Sequence, residues 1–225
     1  MNVIFKCTAW LFLPALFVSC GQGEKPKEDV QKTITDTVAV SKPLKTIVFF
    51  GNSITAGYGL EPTQAFPAII QRRLDSLNLP YKVVNAGVSG ETSSGGNSRI
   101  DWILEQPVDI FVLELGGNDG LRGIPASETR TNLQSIIDKV KTKYPSAKIL
   151  VAGMQMPPNM GAQYTTDFRN IFPDLAKKNN SILIPFILEG VGGEARLNQD
   201  DGIHPTDEGH RIVAETVWER LEPIL

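Results

Sequence analysis

Short apolar runs alternate with helix-spaced apolar positions along most of the chain. The runs lie at 46–50, 81–86, 109–115, 148–152 and 182–184, and the first of them, Thr46-Ile47-Val48-Phe49-Phe50, is stopped by Gly51. Brief runs of this kind are the pattern of strands covered on both faces. Between them the spacing predicts helices over 64–77 (Phe66, Ile69, Ile70, Leu74, Leu77), 96–104, 127–144 (Leu133, Ile136, Ile137, Val140), 168–178 and 206–221 (Ile212, Val213, Val217, Leu221). Strands that alternate with helices imply parallel strands joined by right-handed crossovers. The predicted fold class is therefore α/β, a three-layer α/β/α sandwich around a five-stranded parallel, flavodoxin-like sheet. In such sheets ligands gather at the carboxyl ends of the strands.

The first 44 residues do not share this pattern. Lys6 precedes an apolar run over 7–18 that only Thr8 and Pro14 interrupt, followed by Ser19, Cys20 and Gly21. That is the layout of a secretory signal over 1–19, and the run is too short for a lasting membrane span. Residues 21–44 hold four Lys, four acidic residues and two Pro with few large apolar side chains, which reads as a solvated tether; the alternation over 33–38 is open to reading as an edge strand. The working domain is then 45–225. Both cysteines, Cys7 and Cys20, fall outside it, so it can hold neither a disulfide nor a thiolate nucleophile. Formal charge is -3 with no dense basic patch, which argues against nucleic acid as a partner.

Chemistry concentrates in four places. Loops after the first three predicted strands carry Gly51-Asn52-Ser53-Ile54, the stretch 85–90 (Asn-Ala-Gly-Val-Ser-Gly) and Gly116-Gly117-Asn118-Asp119, all on one rim. Asp201-Gly202-Ile203-His204-Pro205 precedes the last helix and sets a carboxylate and an imidazole on one turn. A serine hydroxyl attacks near neutral pH only when a base takes its proton, and His204 is the candidate base for Ser53. Asp201 can fix the tautomer of that imidazole, with Asp200 as the other candidate. Donors for a developing oxyanion are Ser53 N–H, Gly87 N–H and the Asn118 amide. Each piece also has a plain structural reading: a turn at Ser53, a tight bend at Gly87, a cap at Asn118. Asn52, Asp119, Met156 and Pro158 are expected to contact substrate, and Met154, Met156 and Met160 either line an apolar acyl site or simply pack. Gly190–Gly193 lacks the Lys and Ser/Thr of a phosphate loop and reads as a flexible loop.

Together these blocks resemble those of the Gly-Asp-Ser-Leu (SGNH) hydrolases, matching at Ser53, Gly87, Asn118 and His204, with Asp201 in the Asp-x-x-His position. The strings at 113–123 and 200–205 are similar to those of the bacterial thioesterase, lysophospholipase and arylesterase subfamily. The resemblance implies a serine ester hydrolase that cleaves acyl esters or thioesters (lysophospholipid, acyl-CoA or aryl ester) through an acyl-serine intermediate. A carbohydrate acetyl esterase and a silent envelope binding module are the alternatives. Asn52 and Ile54 depart from the Asp and Leu of the first block. The stretch 17–20 resembles a bacterial lipobox, which implies lipidation of Cys20 and a cell-envelope location, outer-membrane lipoprotein or periplasmic; plain secretion remains the other outcome. No cofactor is expected, and a monomer is. No metal site is expected either: His204 and His210 are six apart, not at i, i+4 spacing, and His210 is expected on the surface of the last helix.

Overall fold

The computed structural model of this protein describes residues 43–225. The expected signal segment, Cys20 and the strand reading of 33–38 lie outside the described residues. Within them five parallel strands, β1 (Lys45–Gly51), β2 (Tyr81–Gly87), β3 (Ile110–Glu114), β4 (Lys148–Ala152) and β5 (Ile182–Ile184), form one sheet in the order β2-β1-β3-β4-β5. This is the flavodoxin-like order predicted from the alternation of elements. Seven α-helices accompany it: α1 (Ser53–Ala56), α2 (Phe66–Ser76), α3 (Ser93–Ile103), α4 (Gly117–Leu121), α5 (Ala126–Lys143), α6 (Ala162–Asn179) and α7 (Asp207–Leu221).

The period-two alternation of β1 divides the core between the two faces of the sheet. Phe49 points to one face and meets Phe66 of α2 edge-on, with ring centroids 5.3 Å apart, and α2 packs on α7 there. Phe50 points to the other face beside Phe111 of β3, and there α3 comes so close that a Cβ on Gly96 would lie 2.3 Å from Leu115 Cδ1. Helix α5 packs between α3 and α6. Every residue of β3 is buried, including its last, Glu114. No helix among the described residues is long and apolar enough to cross a membrane.

Differences from expectation lie at polar helix ends. Helix α3 begins at Ser93, three residues before the predicted start, because Thr92 caps it by accepting the Gly95 N–H. Helix α6 starts at Ala162 rather than 168 and continues through Pro173; its first turns are polar and carry no apolar signal. His210 is a correction: it is buried, stacked on Phe66 with its ring planes 12° apart, and its Nδ1 accepts the Phe66 N–H at 3.2 Å.

Candidate active site

The register of the sheet brings the carboxyl ends of three strands level: Gly51 lies opposite both Gly87 of β2 and Glu114 of β3. Immediately after Gly51 the chain turns into α1, whose N-cap is Asn52. The Asn52 side-chain oxygen accepts the Ile54 N–H at 2.9 Å, which satisfies one of the orphan donors of the first turn. Ser53 is the first helical residue, and its Oγ lies 2.9 Å from His204 Nε2. His204 Nδ1 in turn lies 2.6 Å from Asp201 Oδ2. The other carboxylate oxygen of Asp201 accepts the N–H groups of Ile203 (2.8 Å) and His204 (3.0 Å). These bonds, the His204 backbone N–H first and its ring second, pull the Asp201 pKa down to about 2. An ionised carboxylate needs a donor at Nδ1, so Nε2 carries the free lone pair that faces the serine hydroxyl.

The turn bearing His204 is tied to the serine side of the cleft. Gln199 Nε2 donates to the carbonyl of Tyr58 at 2.7 Å, and the Tyr58 ring lies against the imidazole with centroids 4.6 Å apart. Of the two candidate aspartates, the bond to His204 comes from Asp201. Ser53 and His204 open on a cleft of about 550 Å³ whose walls include Met154, Met156, Pro158, Phe186, Leu188 and Ile203. A larger groove of about 1010 Å³ runs over α5, among Asp101, Arg130, Lys139 and Asp174. It contains neither the hydroxyl nor the imidazole, so the smaller cleft is the candidate active site.

The structure brings most of the sequence-predicted residues to this cleft and leaves Met160, Gly87 and Asp119 out of it. Asn52, Asn118, Met154, Met156 and Pro158 line it; Met160 does not. Asn118 Nδ2 donates one hydrogen to the Glu91 carbonyl at 3.0 Å and keeps a second hydrogen available. Gly192 and Gly193 also line it, so the stretch read as a flexible loop is part of the wall. Gly87 is a correction. Its N–H is already donated to Asn85 Oδ1 at 3.0 Å, and a Cβ there would lie 2.3 Å from the Ala56 nitrogen, so this glycine is required by the close approach of α1. In the same loop Gly90, at φ +78°, has an N–H without a protein acceptor among the described residues, beside the Glu91 carbonyl that holds Asn118. Asp119 is the second correction. It is 1% exposed and faces inward, accepting from Ser93 N at 2.8 Å and Ser93 Oγ at 2.5 Å, and so clasps the start of α3 to α4 rather than meeting a ligand.

The sequence and fold of this chain are shared with known proteins. Residues 49–212 match the model of the GDSL-like lipase/acylhydrolase family. The chain belongs to that family. It is 41% identical over 182 residues to esterase TesA of Pseudomonas aeruginosa, covering 80% of this chain and 90% of that protein. It is 36% identical over 181 residues to thioesterase 1/protease 1/lysophospholipase L1 of Escherichia coli K12, covering 80% and 85%. Superposition on a crystal structure of TesA gives a TM-score of 0.77 over 80% of this chain and all of the other. As a GDSL-family protein the chain is an enzyme, a carboxylic ester hydrolase acting on small-molecule esters.

One group in this GDSL hydrolase escaped the sequence reading: Glu114, a carboxyl buried beneath the serine turn. Burial pushes its pKa up to about 7, against hydrogen bonds from Thr55 and Asn52 that pull it down. Together with His210, whose burial lowers its pKa to about 4, it sets a testable pH dependence of stability. Between about 4 and 6.5 the unfolded chain binds the His210 proton and the folded one does not, so this group makes stability rise with pH. Between 4.5 and about 7 the folded state binds the Glu114 proton, so that group makes stability fall with pH. The two oppose each other at up to about 1.4 kcal/mol per pH unit each. In His210→Asn, whose Oδ1 can replace Nδ1 as acceptor for the Phe66 N–H, only the Glu114 effect remains. Its unfolding free energy by urea titration is expected to lose about 2 kcal/mol relative to wild type as pH is raised from 4.5 to 6.5. Parallel profiles for the two proteins would contradict this.

Proposed function

We propose that this enzyme hydrolyses acyl esters and thioesters through an acyl intermediate on Ser53. The observation that carries the reading is the unbroken chain Ser53 Oγ, His204 Nε2, His204 Nδ1, Asp201 Oδ2, at 2.9 and 2.6 Å, at the mouth of an apolar cleft. As Oγ attacks the substrate carbonyl carbon, Nε2 takes the hydroxyl proton, and Asp201 stabilises the imidazolium that forms. The carbonyl oxygen becomes an oxyanion. The donors available to it are Ser53 N–H at the start of α1, the second hydrogen of Asn118 Nδ2 and, in place of Gly87, Gly90 N–H. One such donor is worth about 3 kcal/mol of barrier. Collapse of the tetrahedral adduct expels the alcohol or thiol with the proton from Nε2. A water then attacks the acyl-serine, again giving its proton to Nε2, and Ser53 is regenerated with release of the acid.

The acyl group has room among Met154, Met156, Pro158, Phe186 and Leu188. Methionines conform to irregular chains, which favours acyl groups longer than acetyl. The relatives named esterase and thioesterase/lysophospholipase agree with that substrate class. The N-terminal sequence, with its signal layout over 1–19, Cys20 and the polar stretch 21–44, supports a location in the cell envelope, tethered where Cys20 is lipidated. A fluorophosphonate probe tests the assignment of Ser53. Wild type is expected to label and Ser53→Ala is not, while both keep the same thermal unfolding transition. Labelling of Ser53→Ala would assign the nucleophile elsewhere, and a profile of p-nitrophenyl esters from acetyl to palmitoyl that peaks sharply at acetyl would contradict the acyl-chain assignment.

A further inference from the structure

A glutamate at the end of a fully buried strand is an anomaly that the mechanism above leaves unused. Glu114 is 2% exposed and does not line the cleft. Its side chain lies under the serine turn and is ringed by donors. Oε1 accepts from Asn52 Nδ2 at 2.7 Å, and Oε2 accepts from Asn52 N at 3.1 Å and Thr55 Oγ1 at 2.7 Å. The carboxylate also fills the space over Gly51, where a Cβ would lie 2.5 Å from Oε2 and 2.1 Å from Thr55 Oγ1. Two N–H groups of Asn52 and a hydroxyl of Thr55 that can turn its hydrogen inward form a ring that suits an ionised carboxylate.

The consequence reaches Ser53 through Asn52. Because Glu114 Oε1 accepts a hydrogen of Asn52 Nδ2, the Asn52 oxygen is turned toward the Ile54 N–H, where it caps α1 and borders the Ser53 hydroxyl. Reversing that amide would set two donors against each other at Ile54. We propose that Glu114 is a positioning residue for ester hydrolysis: through Asn52 and Thr55 it holds the turn that aims Ser53 Oγ at His204. The inference rests on Ser53 being the nucleophile. Burial raises the Glu114 pKa to about 7, and above that pH the ionised form that fits the ring of donors predominates.

The amide pair allows a donor and acceptor exchange as the test. In Glu114→Gln the side-chain oxygen can serve Asn52 N and Thr55 Oγ1, but its NH2 then faces the NH2 of Asn52, and one of the two must turn away. Adding Asn52→Asp restores every bond in reverse: Asp Oδ1 keeps the Ile54 N–H and Oδ2 accepts from Gln Nε2. At pH 8 on a p-nitrophenyl ester, Glu114→Gln is expected to lower kcat at least tenfold with KM within twofold, and to slow fluorophosphonate labelling in proportion. The Asn52→Asp/Glu114→Gln double variant is expected to regain kcat to within about threefold of wild type. Wild-type kcat in Glu114→Gln, or a double variant no better than the single, overturns the proposal. Should Glu114→Gln not fold, Thr55→Val removes one hydroxyl from the ring, with a threefold or larger fall in kcat at constant KM expected and unchanged kcat overturning the inference. Failure of wild type to label would instead strike the assignment of Ser53, so the two are told apart.

Discussion

Replacing His204 by alanine is expected to lower kcat/KM for an aryl ester by about 10⁴-fold or more, roughly 5 kcal/mol of transition-state stabilisation. The imidazole is the one base within reach of Ser53 Oγ among the described residues, at 2.9 Å, so without it the hydroxyl must give its proton to water as it attacks. Folding is expected to survive, since the ring sits at the cleft surface and its main neighbour is the exposed Tyr58. In the proposed mechanism serine and imidazole act as one unit, so the effects do not add: Ser53→Ala/His204→Ala is expected within about tenfold of the worse single variant. The residual rate of all three proteins reports what the oxyanion donors and the cleft achieve alone. Initial-rate kinetics on the purified variants measure both points, and a His204→Ala enzyme within a hundredfold of wild type would mean that another base serves Ser53.

How much of this was legible in the sequence depends on how far each signal extends along the chain. The central strands β1, β3 and β4 were, because a strand covered on both faces is written as a continuous apolar run, and the edge strands β2 and β5 still carry short apolar cores, Val83-Val84 and Ile182-Leu183-Ile184. The serine and the Asp-x-x-His turn were, because each sits next to a strand or helix whose place in the topology is fixed, and the parallel order then brings them together. Helices α1 and α4 were not, since Ser53–Ala56 and Gly117–Leu121 are too short to show a period and are set by single interactions such as the Asn52 cap. His210 was misread although its signal was present. Positions 210, 213, 214, 217, 218 and 221 form the buried stripe of α7, and the histidine falls on it. Between two glycines of one loop, sequence gives no reason to choose; the bond from the Gly87 N–H to Asn85 Oδ1 and its packing against α1 separate it from Gly90. Asp119 was placed by its neighbour Asn118, yet successive helical residues point about 100° apart, and the carboxylate turns to Ser93 instead. Glu114 carried the plainest overlooked signal: an acid that ends an otherwise apolar strand must be paired below the surface.

Asp201→Asn is expected to cost about 10³- to 10⁴-fold in kcat while leaving its turn intact. The asparagine oxygen can keep the Ile203 and His204 N–H groups that now bond Oδ1, which leaves its NH2 where Oδ2 accepts from His204 Nδ1. A donor at that place selects the tautomer with a bare Nδ1 and a protonated Nε2, and a protonated Nε2 cannot take the proton of Ser53. The effect is one of proton placement rather than of lost charge screening, and two measurements separate these. Nitrogen-15 shifts of the His204 ring are expected to show the hydrogen on Nδ1 in wild type and on Nε2 in the variant near pH 8. Asp200→Asn, which removes a neighbouring charge without touching the imidazole, is expected to stay within twofold of wild type. Since hydrogen bonds hold the Asp201 carboxyl at about 2, it remains ionised down to that pH, so loss of activity in mild acid does not arise from its protonation. An Asp201→Asn enzyme that retains its Nδ1–H tautomer yet loses activity would shift the weight of the aspartate from tautomer selection to stabilisation of the imidazolium. An enzyme that loses neither would remove Asp201 from the reaction altogether.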